Sequence, residues 1–306
     1  MPSSTDPRQF GVTFSLKQCR NFKLDAKETF LWLIADAGFR RFRLMSYWDE
    51  HEKQPGVYDF SQLDWQIKLA ENVGAVVTLC LGARQPRWPE NHWPQWAWDL
   101  PKAERSAALL RYIEAVVEHY KSHACIISYQ LENEALLAGF GERPEVDRSR
   151  LKQEYALIKR LDPTRPIIMT TSTSWGIPMR GPIPDVVGFS YYHTLYRKGG
   201  YHRSNFLPVI HRLRKLLITM LHRKSTFIHE LQLEPWGPTA IWKMPSAEQA
   251  KSMSPEQIAT NLKLARAIKA PPIDLWGAEW WYWRLKQNDS TIWQAVQKSL
   301  KDFSKS

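Results

Sequence analysis

The feature that most constrains the fold is a repeated alternation of two kinds of segment. Eight short apolar runs, rich in β-branched and aromatic residues, are separated by longer segments with apolar residues at three- and four-residue spacing. The short runs span residues 10–15, 39–45, 75–81, 126–131, 166–170, 186–192, 226–231 and 273–281. Repeated strand–helix alternation predicts a parallel sheet. Eight such units predict that the sheet closes into a (β/α)8 barrel.

Length and composition agree with one domain of this kind. The chain has 306 residues, and an eight-unit barrel typically needs about 250. Hydrophobic residues make up 43% and charged residues 24%, which is a globular composition. No linker-like or low-complexity stretch divides the chain. We therefore expect residues 1–306 to form a single (β/α)8 domain of the α/β class.

The net charge of +11 raises the question of an anionic partner. Between Asp185 and Glu230 there are eight basic residues and no acidic one, and residues 206–218 mix apolar and basic residues at helical spacing. We favour a solvated outer helix of the barrel, and peripheral contact of the basic segment 197–224 with an anionic surface is the alternative. Neither a zinc-finger spacing nor a glycine-rich phosphate loop is present, so we expect no nucleic-acid partner.

Targeting signals and cysteines say little about the location or the function of the protein. Residues 1–7 lack the basic start and apolar core of a signal peptide, and no apolar run reaches the roughly 18 residues of a membrane span. The location stays open between the cytoplasm and a secreted or anchored protein whose targeting segment has been removed. Three cysteines argue against a disulfide framework, and we expect Cys80 and Cys125 to be buried free thiols.

Two glutamates stand where apolar strands give way to loops. Glu134 follows the predicted strand 126–131, and Glu230 lies at the end of the strand 226–231. A carboxylate at the inner end of a strand is costly to desolvate without a purpose or a partner, and barrel active sites lie at these strand ends. Two converging carboxylates are what glycoside hydrolysis requires, since one protonates the leaving oxygen and the other attacks the anomeric carbon or activates water.

The segments around these glutamates resemble clan A glycoside hydrolases. Leu-Glu-Asn-Glu at 131–134 is similar to the Asn-Glu signature of the clan, which implies that Glu134 is the acid/base. Ile-His-Glu-Leu-Gln at 228–232 is similar to the nucleophile segment, which implies that role for Glu230. Residues 47–60 resemble the loop after strand two in β-galactosidase-like and family 5-like members. The resemblance covers the chain in outline and implies retaining cleavage of a β-linked glycoside or polysaccharide.

Four further positions follow from this resemblance. It implies that Arg43, on strand two, orients Glu230 and holds it ionised. It implies that Asn133 hydrogen-bonds the sugar 2-hydroxyl, and that Tyr192, on strand six, contacts the nucleophile. It also implies that Trp281, on strand eight, forms a sugar platform. The 15 tryptophans, which cluster after strand three and around strand eight, suit a carbohydrate cleft.

Strand alternation leaves two questions open. Asn133 and Glu134 cannot both point inward from a regular strand, so a bulge or turn is needed there, and Glu132 is the rival acid. Glu279 would face inward on strand eight, which is not part of the clan pattern. It either binds a sugar hydroxyl or pairs with a barrel arginine such as Arg84.

The remaining motifs decide between classes of function. No His-x-x-x-His pair with a third ligand and no serine nucleophile elbow is present, so we expect no metal and no cofactor. Hydrolysis of a carbohydrate substrate with retention is the leading hypothesis. A transglycosylase using the same residues and a non-catalytic carbohydrate-binding barrel at a cell surface are the alternatives, and in the latter Glu230 is only a structural partner of Arg43. Sugar, linkage and oligomeric state stay open.

Overall fold

The computed structural model describes residues 8–173, 176–205 and 207–305. Its strands are β1 (Phe10–Phe14), β2 (Arg41–Met45), β3 (Val76–Leu81), β4 (Ile126–Leu131), β5 (Ile167–Thr171), β6 (Val186–Tyr191), β7 (Thr194–Arg197), β8 (Gly200–Arg203), β9 (Ser225–Gln232) and β10 (Ile273–Trp276). Eight of them form a closed parallel barrel in the order β1, β2, β3, β4, β5, β6, β9, β10, and β7 with β8 makes a separate antiparallel hairpin. The predicted (β/α)8 barrel is confirmed.

Helices follow seven of the eight barrel strands. They are α1 (Leu16–Asn21), α2 (Ala26–Ala35), α3 (Trp48–His51), α4 (Ser61–Asn72), α5 (Gln95–Trp98), α6 (Lys102–Tyr120), α7 (Arg148–Leu161), α8 (Pro208–His222), α9 (Ser246–Gln249), α10 (Pro255–Ile268), α11 (Ala278–Lys286) and α12 (Thr291–Lys305). The connection between β5 and β6 has no helix in its described part. The barrel wall is therefore covered by irregular chain at that point.

Local sequence sets several of these boundaries. The Asp25 carboxylate accepts a hydrogen bond from the Glu28 amide at 2.7 Å and so caps α2. Ser254 and Gln257 form a reciprocal capping box at the start of α10. The strands are buried on both faces, as parallel strands covered by helices are. The runs of adjacent apolar residues seen in the sequence follow from this double burial.

One register shift places two polar side chains side by side. Along β6 and β9, Phe189 pairs with Ile228, and the next pair is Ser190 with Glu230, so the register skips His229. The shift brings Ser190 opposite Glu230 near the C-terminal end of the barrel. The imidazole of the skipped His229 instead approaches Asp274 at 2.6 Å.

The predicted last strand is wrong beyond Trp276. Gly277 has a φ of +134°, and a Cβ on it would lie 2.6 Å from the Leu233 carbonyl oxygen. Only glycine fits that backbone, and the chain turns there into α11. Glu279 and Trp281, expected on a strand, therefore lie in the first turns of a helix.

Three smaller expectations can be compared with the structure. All three cysteines are buried free thiols, as predicted for Cys80 and Cys125. Among the residues that the structure describes, no helix is both long and apolar enough to cross a bilayer. Residues 1–7, for which we expect no signal peptide, and Phe206, at the start of the apolar and basic segment, lie outside the described residues. The single domain over 1–306 stays a prediction.

Candidate active site

Arg43 is the central cation of the site. Its side chain is fully buried in the barrel and donates hydrogen bonds to three partners: Glu230 Oε1 at 2.6 Å, Gln130 Oε1 at 2.6 Å and Asn133 Oδ1 at 2.9 Å. Burial alone would lower the pKa of Arg43, but the adjacent Glu230 carboxylate raises it overall. The guanidinium therefore stays charged and fixes one oxygen of Glu230.

Two hydroxyl groups from the end of β6 reach the other oxygen of Glu230. Tyr192 donates to Glu230 Oε2 at 3.0 Å, and Ser190 Oγ lies 3.3 Å from the same oxygen. The structure thus brings Arg43, Tyr192 and Glu230 together, as the resemblance implied. Ser190 was missed by the sequence analysis because a serine in a β-strand carries no signal of its own.

Glu134 faces Glu230 across this serine. Ser190 Oγ lies 3.0 Å from Glu134 Oε1, and since a hydroxyl has one proton it donates to one carboxylate at a time. Burial, and next the negative charge of Glu230, raise the pKa of Glu134 to about 7, against a smaller lowering by the hydrogen bond from Ser190. A carboxyl group with this pKa is divided between its acid and base forms near neutral pH.

The backbone after β4 is not a regular strand, so the inside–outside alternation of a strand does not apply to Glu132, Asn133 and Glu134. Regular strand geometry ends at Leu131, and both Glu132 and Glu134 adopt positive φ, +49° and +45°. Glu132 turns away and accepts hydrogen bonds from the backbone amides of Ala83 and Arg84, at 3.1 and 2.6 Å. Glu132 therefore stabilises the loop after β3 and lies outside the site.

Four side chains hydrogen-bond to the side chain of Asn133. Its Oδ1 accepts from Arg43 and, at 3.2 and 3.3 Å, from Thr170 and Gln130. Its Nδ2 donates to Glu90 Oε2 at 2.9 Å. Burial raises the pKa of Glu90 to about 8. Glu90 is a third carboxyl group beside the pair, and its position in a loop after β3 gave no sequence signal for it.

Glu279 is part of a buried ionic cluster. It accepts a hydrogen bond from the Ser15 amide at 2.5 Å and forms an ion pair with Arg87 at 2.7 Å. Arg87 also forms an ion pair with Glu234. The expected inward strand position of Glu279 is wrong, and its partner is Arg87 and not Arg84, which donates to the Asn133 carbonyl oxygen at 2.6 Å.

The expected sugar platform at Trp281 is contradicted by its position. Trp281 is fully buried on α11, stacks against Trp293 with ring centroids 6.0 Å apart and donates its indole N–H to Leu233 O at 2.8 Å. Trp276 is the tryptophan at the end of β10. Its indole N–H donates to Glu234 Oε1 at 2.7 Å, and the Arg87 guanidinium lies 3.9 Å from its ring centroid.

Further aromatic side chains form a row that leads away from Tyr192. Trp236 packs edge-on against Tyr192 at 5.7 Å, Phe140 lies 5.7 Å from Trp236, and Trp88 lies 6.3 Å from Phe140. Trp88, at the end of the row, is 59% exposed. Exposed aromatic faces beside a polar site are suited to the apolar faces of sugar rings. Of these, only Trp88 belongs to a tryptophan cluster noted in the sequence.

A cleft of about 250 Å³ opens beside Glu134. Its walls come from the loop after β4, the end of β5 and the helix-free connection that follows β5. They are mainly apolar and include Leu136, Met169 and Ile177, with Arg180 as the charged residue besides Glu134. Space for a ligand therefore exists next to Glu134, in a cleft whose lining does not include Glu230.

Solved glycoside hydrolases share this fold. GH5_18 from Streptomyces cattleya, in complex with GlcNAc, aligns with a TM-score of 0.64 at 14% identity over 99% of this chain and 82% of its own. A family 39 glycoside hydrolase from the gut symbiont Bacteroides cellulosilyticus WH2 gives 0.57 at 18% identity, over 88% and 56%. The exo-β-1,4-mannosidase Op5Man5 from Opitutaceae bacterium strain TAV5 gives 0.60 at 16% identity, over 96% and 59%.

These similarities establish the barrel fold that the resemblance to clan A glycoside hydrolases implied. The chain spans 56% and 59% of the length of two of the solved structures that it matches. No protein-family model and no curated protein matches the sequence.

Proposed function

We propose that this protein is a retaining glycoside hydrolase acting on β-linked sugars, with Glu230 as nucleophile and Glu134 as acid/base. The observation that carries the proposal is the contact of both carboxyl groups with Ser190 Oγ, at 3.0 and 3.3 Å. Glu134 Oε1 and Glu230 Oε2 are thus no farther apart than the sum of these distances. Retaining enzymes separate their carboxyl groups by about 5–5.5 Å and inverting enzymes by about 6.5–9.5 Å, which favours retention.

The surroundings of the two carboxyl groups suit different roles. Glu230 accepts hydrogen bonds from Arg43 and Tyr192, which fix the orientation of its carboxyl group. The pKa of Glu134 is raised to about 7 by burial and by the charge of Glu230, so it can carry a proton at neutral pH. Environments that separate two carboxyl groups in this way assign the acid and the nucleophile.

The reaction then proceeds in two displacements. Glu230 attacks the anomeric carbon while the bond to the leaving oxygen breaks, and the proton of Glu134 passes to that oxygen. A glycosyl ester on Glu230 results. In the second step Glu134, now a carboxylate, takes a proton from water, the water oxygen attacks the anomeric carbon, and the ester bond breaks to release Glu230. Two inversions give net retention.

Other groups around the pair suit binding of the sugar. We place the leaving group in the cleft beside Glu134, because the proton donor must reach the leaving oxygen. The glycone lies towards Asn133, Tyr192 and Trp276. The fold likeness to an exo-β-1,4-mannosidase and to an endo-β-1,4-xylanase is consistent with a β-linked substrate.

A screen of aryl β-glycosides tests this assignment. We expect wild-type turnover of at least one sugar, and a loss on the order of 10⁴-fold in kcat for Glu230→Gln. Glu114→Gln, at an exposed position on α6, is the matched control and should leave kcat unchanged. Turnover that survives Glu230→Gln refutes the nucleophile, and the absence of turnover on every glycan leaves the non-catalytic barrel as the better account.

A second variant separates the two roles. Glu134→Ala should spare formation of the glycosyl ester with 2,4-dinitrophenyl glycosides, because that leaving group needs no proton. Added azide, which attacks without a general base, should restore turnover and give the β-glycosyl azide. An α-azide as product contradicts retention. Product analysis with acceptor sugars distinguishes a hydrolase from a transglycosylase.

A further inference from the structure

The outward face of α8 carries an apolar stripe. Val209, Leu213, Leu216 and Met220 follow one another at spacings of four, three and four residues, so they lie on one face of the helix. Their side chains are 61%, 50%, 54% and 68% exposed. The opposite face, with its buried residues His211, Arg214 and Ile218, packs on the barrel.

This stripe is the main concentration of exposed apolar side chains in the structure. Within the described ranges, fourteen large apolar side chains are exposed, and six of them lie between residues 207 and 221. Single exposed apolar residues are ordinary, but a contiguous patch marks a surface that contacts something. Nothing in the proposed catalytic site uses this face.

The stripe is flanked by positive charge. Arg212 and Arg223 lie along one edge of it, and Lys215 lies nearby. Arg212 and Lys215 donate to the backbone carbonyl oxygens of Ala267 and Lys269, at 2.5 and 2.6 Å. Among the described residues none of these three cations forms an ion pair with a carboxylate, whereas the neighbouring Lys224 pairs with Asp185 at 3.4 Å. The sequence has no acidic residue from 186 to 229. Their charge is therefore available to an external anion.

We propose that the outer face of α8, defined by the stripe and its basic flank, binds the surface of an anionic lipid bilayer. The helix lies parallel to the membrane plane, with the apolar side chains at the boundary between headgroups and acyl chains. Arg212 and Arg223 then meet the lipid phosphates. A second copy of this chain is the poorer occupant, because a symmetric contact brings the same basic edges together.

The inner face of the same helix reaches the cleft beside Glu134. Arg214 donates from Nε to Gly176 O at 2.8 Å, and Gly176 lines that cleft. Docking through α8 thus holds the cleft wall close to the bilayer. Membrane binding does not depend on the proposed glycosidase chemistry, so the two proposals succeed or fail separately.

Sedimentation with lipid vesicles tests the proposal on the whole chain. We expect the wild type to sediment with vesicles of phosphatidylcholine and phosphatidylserine at 70:30 in 0.1 M NaCl. Binding to pure phosphatidylcholine should be at least tenfold weaker, and binding to the mixed vesicles should weaken at 0.5 M NaCl, where charges are screened. Equal binding to both vesicles, or none to either, overturns the proposal.

Paired variants test the two halves of the face. Leu213→Glu with Leu216→Glu should reduce the partition coefficient at least tenfold. Arg212→Gln with Arg223→Gln should reduce it about fivefold per cation. Val57→Glu and Lys27→Gln, at exposed positions away from α8, are the matched controls and should bind like the wild type. Thermal unfolding confirms that each variant is folded.

Two outcomes of the variant series contradict the proposal. One is vesicle binding that the four α8 substitutions leave unchanged. The other is a wild-type dimer that Leu213→Glu with Leu216→Glu converts to a monomer while vesicle binding is absent, which assigns the stripe to a contact between copies.

Discussion

The Arg43 guanidinium donates to Glu230 Oε1 at 2.6 Å, and the two side chains are 0% and 6% exposed. A buried ion pair stabilises a fold only weakly against apolar alternatives, but loss of one partner leaves the other charge uncompensated. Because Arg43 also donates to Gln130 and Asn133, it couples Glu230 to the strand that leads to Glu134. Substitutions of this pair can therefore separate an effect on the free energy of unfolding from an effect on catalysis.

Substitution of Arg43 should affect both properties in different proportions. Arg43→Lys keeps a cation but cannot make three hydrogen bonds in fixed directions, so we expect kcat/KM to fall about 10²-fold through misplacement of Glu230. Arg43→Met removes the charge and should cost about 3–5 kcal/mol in the free energy of unfolding. Chemical denaturation and kinetics measure the two effects. Arg165→Lys, at an ion pair with Asp162 outside the site, is the control, and unchanged kcat/KM in Arg43→Lys contradicts the proposed role.

The pH profile should respond to Ser190. Its hydrogen bond lowers the pKa of Glu134, which burial and Glu230 raise to about 7. Ser190→Ala removes that lowering, so the pKa of Glu134 rises and the basic limb of kcat/KM moves to higher pH. Ser190→Thr keeps a hydroxyl and should keep the wild-type limb. A limb that stays in place or moves to lower pH in Ser190→Ala argues against Glu134 as the proton donor.

Substitutions of Trp276 and Trp281 should affect different properties, substrate binding for Trp276 and stability for Trp281. Trp276 stands at the end of β10 beside Glu234, so Trp276→Ala should raise KM for the glycoside. Trp281→Phe leaves the Leu233 carbonyl without its indole donor and should cost about 1–3 kcal/mol in stability with KM unchanged. Kinetics and thermal unfolding of both variants are the measurements. A raised KM in Trp281→Phe would restore the sugar platform that the sequence suggested.

Stability should decline above about pH 6.5. Burial raises the pKa of Glu90 from 4.5 to about 8, so the folded state favours its protonated form, and that contribution is lost as the pH rises through 8. Burial lowers the pKa of His51, His211 and His229 from 6.5 to about 4, which makes stability rise with pH only up to about 6.5.

Above that point buried carboxyl groups act: burial raises the pKa of Glu90 and Glu154 to about 8 and that of Glu134 to about 7. We expect Glu90 to contribute a loss of about 2 kcal/mol between pH 6.5 and 8, from the 1.36 kcal/mol of each pKa unit. Glu90→Gln should reduce the decline by about this amount, and Glu114→Gln, on the surface, should not. Denaturation curves at pH 6.5 and 8 make the comparison, and the same slope in all three proteins rules Glu90 out.

Much of the barrel was predictable because strand periodicity is local. The apolar runs at 126–131 and 226–231 coincide with β4 and lie within β9. The prediction of the last strand fails after Trp276. The apolar character of residues 278–281 continues, although the backbone has already turned into α11. A helix and a strand can have the same apolar composition. Here only the conformation of Gly277 marks the boundary between β10 and α11.

The sequence alone determined the number of barrel strands and the strand ends that carry Arg43, Glu134, Tyr192 and Glu230, because these depend on apolar periodicity and on short motifs. Tertiary structure decided which other groups surround them. Glu90 is placed by a strained loop and Arg87 by an ion-pair cluster. Ser190 is placed by a register shift between strands that are distant in sequence. Such placements depend on packing across the closed barrel, and no local pattern records them.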